Sequence, residues 1–95
     1  MKRQGDLLIM KVATIPIIAR KQESRVLAEG EATGHLHKLD GGEVYMENDT
    51  LYFKVDRKTV TLTHPEHKLL TFEPGYYKVI RQREYEPKNL RYVND

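Results

Sequence analysis

The 95-residue chain contains no cysteine. No disulfide supplements the core, no thiol nucleophile is available and no metal can be held through sulfur. Long apolar runs are absent too. The longest, Leu7 to Met10 and Ile15 to Ala19, fall far short of the roughly 20 residues that cross a bilayer as a helix. The start MKRQGD lacks the apolar region of a secretory signal, so the expectation is a soluble, cytoplasmic protein without a membrane partner. Charge of one sign is scarce: a formal net charge of +2 is too small to argue for general polyanion binding. Length leaves no room for a second module, because a domain this small is already marginal in core burial.

Helical spacing is missing as well. No window keeps apolar residues in step for three turns, and glycines 30, 34, 41, 42 and 75 precede no strand-to-helix transition of the kind a phosphate-binding loop requires. What is present is a series of short segments rich in Val, Ile, Leu, Thr and Tyr, punctuated by Gly and Pro. The spacing predicts strands over 6–13, 16–20, 25–39, 43–47, 51–56, 59–63, 68–72 and 76–85. The expected fold is therefore all-β: a single-domain barrel or compact sandwich of about eight short strands. DGG at 40–42, END at 47–49 and EPG at 73–75 supply turn chemistry, and Gly5-Asp6 reads as a turn entering the first strand. KQES at 21–24 reads as an exposed loop. Tyr45, Tyr52 and Phe53 read as packing residues. Residues 86–95 hold too few apolar side chains to pack alone and either fray or dock on a partner subunit.

The four histidines occupy two short stretches, TGHLHKL at 33–39 and THPEH at 63–67. On a continuous strand over 25–39, His35 and His37 point the same way as Glu29 and Glu31, so two imidazoles and two carboxylates share a face. Pro65 breaks the next ladder, leaving His64 and His67 on either side of a tight turn with Glu66 between them. Neutral imidazoles are common ligands for first-row metals. His35, His37, His64 and His67 are thus candidate ligands for a divalent transition metal such as zinc, manganese or iron, with Glu31 or Glu66 as general base or outer carboxylate. The same residues support a scheme without metal, in which one histidine accepts a proton and another gives one near neutrality.

The segment GYYKVIRQREY completes the pattern. Five Lys or Arg face two Glu between Lys78 and Arg91, and Tyr77, Arg81, Arg83 and Tyr85 share one strand parity. Two arginines and two tyrosines on one face can grip phosphate and stack a base; equally, a charged strand face is ordinary solvent-side design.

AEGEATGHLHKL and LTHPEHKLLTFEPGYYKVIRQREYEP resemble a pattern found in small uncharacterised proteins of bacteria and their phages, with GHxH and HPEH motifs. The likeness runs from Gly5 to about Arg91. That family brings no settled activity, and what it implies is that both histidine pairs and RQREY form one unit. A partial likeness to cupins rests on a glycine, an H-x-H on a strand, Glu43 and a later histidine. The chain departs from cupins in the placing of Gly30 and Glu43, and in having no Pro-x-Gly before the last histidines.

Three functions follow as expectations. One is a metal-binding protein acting as a hydrolase, with Arg81 and Arg83 holding an anion. Another is a metal-independent endoribonuclease in which the histidines share acid and base roles, and Arg81, Arg83 and Tyr85 hold the scissile phosphate. The last is a nonenzymatic interaction protein that binds its partner through RQREY and the C-terminal tail. A homo-oligomer is expected in each case, because further burial and covered strand edges favour so short a chain.

Overall fold

The computed structural model describes residues 1–30 and 33–81. Among them ten strands form two antiparallel sheets, and no helix is long and apolar enough to cross a membrane. The strands are β1 (Lys2–Gln4), β2 (Leu7–Val12), β3 (Arg20–Gln22), β4 (Val26–Glu29), β5 (Leu36–Leu39), β6 (Glu43–Glu47), β7 (Thr50–Val55), β8 (Val60–His64), β9 (His67–Phe72) and β10 (Gly75–Arg81). The larger sheet runs β1-β2-β10-β7-β6-β3 and the smaller β4-β5-β8-β9. The chain lays hairpins alternately on the two sheets and returns to insert β10 between β2 and β7.

Alternation along the strands builds the core. Leu7 and Ile9 of β2, Val44 of β6, Phe53 and Val55 of β7, and Tyr77 and Val79 of β10 face Leu27, Ala28, Leu39, Val60, Leu62 and Phe72 of the smaller sheet. Each fully buried large apolar side chain contributes about 1.5–3 kcal/mol. Phe53, Phe72 and Tyr77 meet one another at ring separations of 4.9–5.2 Å, in the edge-to-face and stacked contacts that aromatic quadrupoles favour. The sheets do not close into a barrel. Along one side β1 lies against the free edge of β9, where Lys2 Nζ donates to the Thr71 carbonyl and Gln4 Nε2 to the Lys68 carbonyl. Side chains, not a backbone ladder, bridge that seam.

Several expected elements differ. The strand expected over 25–39 is two strands, β4 and β5, which pair antiparallel with Glu29 opposite Leu36. The Gly30 N–H donates to the His35 carbonyl, the Gly34 N–H to the Gly30 carbonyl, and Gly34 takes φ +72°. Glycine accepts that φ at no steric cost, so the chain reverses where a continuous alternation seemed to run. Of the strand expected over 16–20 only Arg20 is in a strand, as the first residue of β3. The Pro16 carbonyl accepts from the Ala19 N–H in a turn, and Ile17 and Ile18 lie exposed. Proline fixes its own φ and has no N–H to give a ladder. KQES is likewise not wholly a loop, because Lys21 and Gln22 pair with Tyr45 and Val44 in the β3–β6 ladder. β1 carries no apolar pattern and was invisible to strand reading. The expected final strand is seen as far as Arg81; Glu31, Arg83, Tyr85 and the tail at 86–95 lie outside the described residues.

Candidate functional site: a histidine cluster at one end of the sandwich

Four pieces of chain meet at one end of the molecule: the β1–β2 turn, the entry to β5, the β8–β9 turn and the last residue of β10. Gly5 and Asp6 make a two-residue hairpin loop, with Gln4 paired to Leu7. Gly5 has φ +61°, and a β-carbon there would stand 3.0 Å from His67 Nε2 and 3.3 Å from His37 Cε1. Glycine both permits the turn and leaves room for the rings beneath it. At the β8–β9 turn His64 pairs with His67 across Pro65 and Glu66, which puts both imidazoles on one face.

The two sequence pairs converge. His64 lies at the centre, its ring 4.3 Å from that of His37, 4.5 Å from His67 and 5.6 Å from His35. His37 and His67 stack nearly parallel at 6.2 Å. His37 is buried, His35 and His64 are half-buried, and His67 and Glu66 are exposed. The cluster is therefore an open surface with one buried member.

Hydrogen bonds reach the rings of His37 and His64. Gln4, 2% exposed, donates from Nε2 to the carbonyls of Leu62 and Lys68, both at 2.9 Å. The β8–β9 register shifts between Leu62 and His64, next to the Leu62 acceptor. Gln4 Oε1 lies 2.8 Å from His37 Nδ1. His64 Nδ1 accepts from the Glu66 backbone N–H at 3.0 Å. His35 Nδ1 lies 3.6 Å from Glu66 Oε1, too far for a hydrogen bond.

Asp6 and Arg81 close the site. Asp6 Oδ1 is 3.9 Å from His37 Nε2, and Oδ2 is 3.5 Å from Arg81 Nη2. The same Nη2 approaches the Glu29 carbonyl at 3.5 Å. Among the described residues Arg81 Nε and His35 Nδ1 are buried atoms without a hydrogen-bond partner. Arg81 shares the parity of Tyr77 and Val79, which fill the core; as the strand leaves the core, the same inward face brings its guanidinium beside the histidines. Burial first, then the charges of His64, His67 and Arg81, lower the His37 pKa to about 4 against the opposing pull of Asp6. Burial, and then His67 and His35, lower that of His64. Both rings are neutral at pH 7.

Of the residues expected from sequence, His35, His37, His64, His67, Glu66 and Arg81 come together here. Tyr77 does not. It lies in the core against Phe53 and Phe72 and donates from its hydroxyl to the Glu73 carbonyl at 2.6 Å, and burial pushes its pKa up. Its parity with Arg81 was read correctly, but that face is the inner one. Glu29 contributes its carbonyl, to Arg81. Sequence reading missed Gln4 and Asp6. Asp6 was legible only as a turn residue, and Gln4, within the polar run KRQ, carried no signal.

Among the described residues no three His, Asp or Glu side chains are arranged as a ligand set for a metal ion. Residues 3–82 match the family described as a domain of unknown function, DUF8820. The chain belongs to this family. No curated protein and no solved structure matches it. The match covers Gln4, Asp6, the four histidines, Glu66 and Arg81, so the residues of the cluster lie within the family's domain.

Proposed function

We propose that the cluster is a metal-independent acid–base site that cleaves the phosphodiester backbone of RNA. The observation that carries this reading is the meeting of four imidazoles, two of them neutral at pH 7, with the incompletely satisfied guanidinium of Arg81 on an open surface. RNA supplies its own nucleophile. One imidazole takes the proton of the 2′-hydroxyl as the 2′-oxygen bonds to phosphorus, and the bond from phosphorus to the 5′-oxygen breaks as a second imidazole protonates that leaving oxygen. His35, with the Glu66 carboxylate as counter-charge, is placed to give the second proton. Arg81 holds the charge that grows on the phosphoryl oxygens. An exposed rim made by His67 and Glu66 suits a polymer lying across the site more than an enclosed small molecule.

Metal binding is the second reading, favoured by the facing of His37 Nε2 and Asp6 Oδ1 at 3.9 Å, a place where a divalent cation would find nitrogen and oxygen donors. Against it, the Glu66 N–H occupies His64 Nδ1. The neutral His64 ring then carries its proton on Nε2 and offers no lone pair to a metal.

The test is incubation of untagged protein with a mixed RNA in EDTA. Cleavage to 2′,3′-cyclic phosphate ends is expected, with loss in His37→Ala and His35→Ala. A wild type inert across several RNAs removes the nuclease reading. Stoichiometric metal by elemental analysis, with a fall in melting temperature in chelator, moves the assignment to metal chemistry.

A further inference from the structure

Gln4 lies outside every motif in the sequence, yet it and His37 are the polar side chains buried among the described residues. Its amide has one workable orientation. Two carbonyl oxygens, Leu62 and Lys68, stand 2.9 Å from Nε2. Turning the amide over would set its oxygen against both and lose two buried hydrogen bonds. Oε1 therefore faces His37 Nδ1 at 2.8 Å, and a carbonyl oxygen only accepts. The proton between them belongs to His37 Nδ1.

We infer that Gln4 is the positioning residue of the site: it holds His37 as the Nδ1–H tautomer, so that His37 Nε2 presents the lone pair that accepts a proton. The neighbouring ring is set the opposite way. His64 Nδ1 accepts from the Glu66 N–H, so neutral His64 carries its proton on Nε2. Two imidazoles 4.3 Å apart are thus locked as unlike tautomers, one an acceptor and the other a neutral hydrogen-bond donor. His64 then serves a developing negative charge by donating a hydrogen bond, not by giving up its proton, and the leaving-group proton comes from elsewhere in the cluster. The fold supplies both locks: the β1–β9 seam turns Gln4 towards His37, and the Pro65-Glu66 turn aims a backbone N–H at His64.

The part Gln4 plays in turnover rests on the acid–base reading above, whereas the tautomers can be read without any substrate. The experiment is long-range proton–nitrogen correlation NMR on the full 15N-labelled chain at pH 7.5, on wild type and Gln4→Leu, with RNA cleavage measured in parallel. Wild type is expected to show His37 protonated at Nδ1 and bare at Nε2, and His64 the reverse. In Gln4→Leu, His37 is expected to move its proton to Nε2, beside Asp6, and kcat to fall about 100-fold with KM little changed. A wild-type His37 protonated at Nε2 overturns the inference, and that spectrum decides even where the variant fails to fold. An unchanged His37 tautomer in folded Gln4→Leu overturns it equally. The expected tautomers in a protein that cleaves no RNA uphold the role of Gln4 and remove the nuclease reading.

Discussion

His37 is a basic side chain in a place where adding a proton is costly. It is 4% exposed, and its pKa falls to about 4 from an ordinary 6.5. As pH drops through 6.5 the unfolded chain takes up a proton at this position while the folded one does not, so acid favours unfolding. The stability that His37 provides by staying neutral is complete above pH 6.5 and lost progressively between 6.5 and about 4. The full shift corresponds to roughly 3 kcal/mol. Thermal melts across that window are expected to show a falling midpoint in wild type and a flatter profile in His37→Gln. Parallel profiles for the two proteins would show that the ring is not held neutral by the fold. At this scale the sequence named all four histidines and Arg81, because rare side chains in tight pairs stand out in a short chain. Gln4 and Asp6 escaped, since a glutamine in a polar run and an aspartate in a turn look the same whether or not they serve a site.

Among the elements, legibility followed the strength of the alternation. β2, β6, β7, β8 and β9 were placed to within a residue or two, because Val, Leu and Phe facing the core alternate there with Thr, Lys and Glu. The β4–β5 region misled: VLAEGEATGHLHKL alternates well enough to pass for one strand, and Gly30 and Gly34 signalled a reversal that the period-two reading absorbed. The convergence of His35 and His37 with the second pair thus comes from a hairpin and a turn meeting at one end, a relation between elements distant in sequence. The β1–β2 turn holds them in place. Gly5→Ala would put a side chain at φ +61° and a β-carbon 3.0 Å from His67 Nε2, and a loss of about 1–2 kcal/mol is expected. Urea denaturation should show the lower midpoint, with the His67 ring resonances displaced because that exposed side chain yields first. A variant as stable as wild type with unmoved His67 signals would refute the packing described at this turn.

On the scale of the molecule, the aromatic centre and the polar end divide the work. Phe53, fully buried and in contact with Phe72 and Tyr77, ties the two sheets together. Phe53→Ala is expected to cost about 3–5 kcal/mol, a large share of the 5–15 kcal/mol typical of a whole domain. Equilibrium urea unfolding followed by tyrosine fluorescence measures it, and a cost below about 1 kcal/mol would contradict so tight a core. The all-β class was readable because the strands that build the core each needed an apolar face. The choice between barrel and sandwich was not, because it depends on whether the edges meet, and edge pairing leaves no mark in composition.

The seam between β1 and β9 also sets an order of events. Gln4 finds the Lys68 carbonyl across a separation of 64 residues, and contacts so distant in sequence form late, after local hairpins have closed. During synthesis Gln4 must wait for the ninth strand to emerge, and until then nothing holds the tautomer of His37. The chemistry proposed for this end of the molecule is in that sense timed by topology: a full-length chain whose seam has opened carries every histidine it needs and is still unarmed.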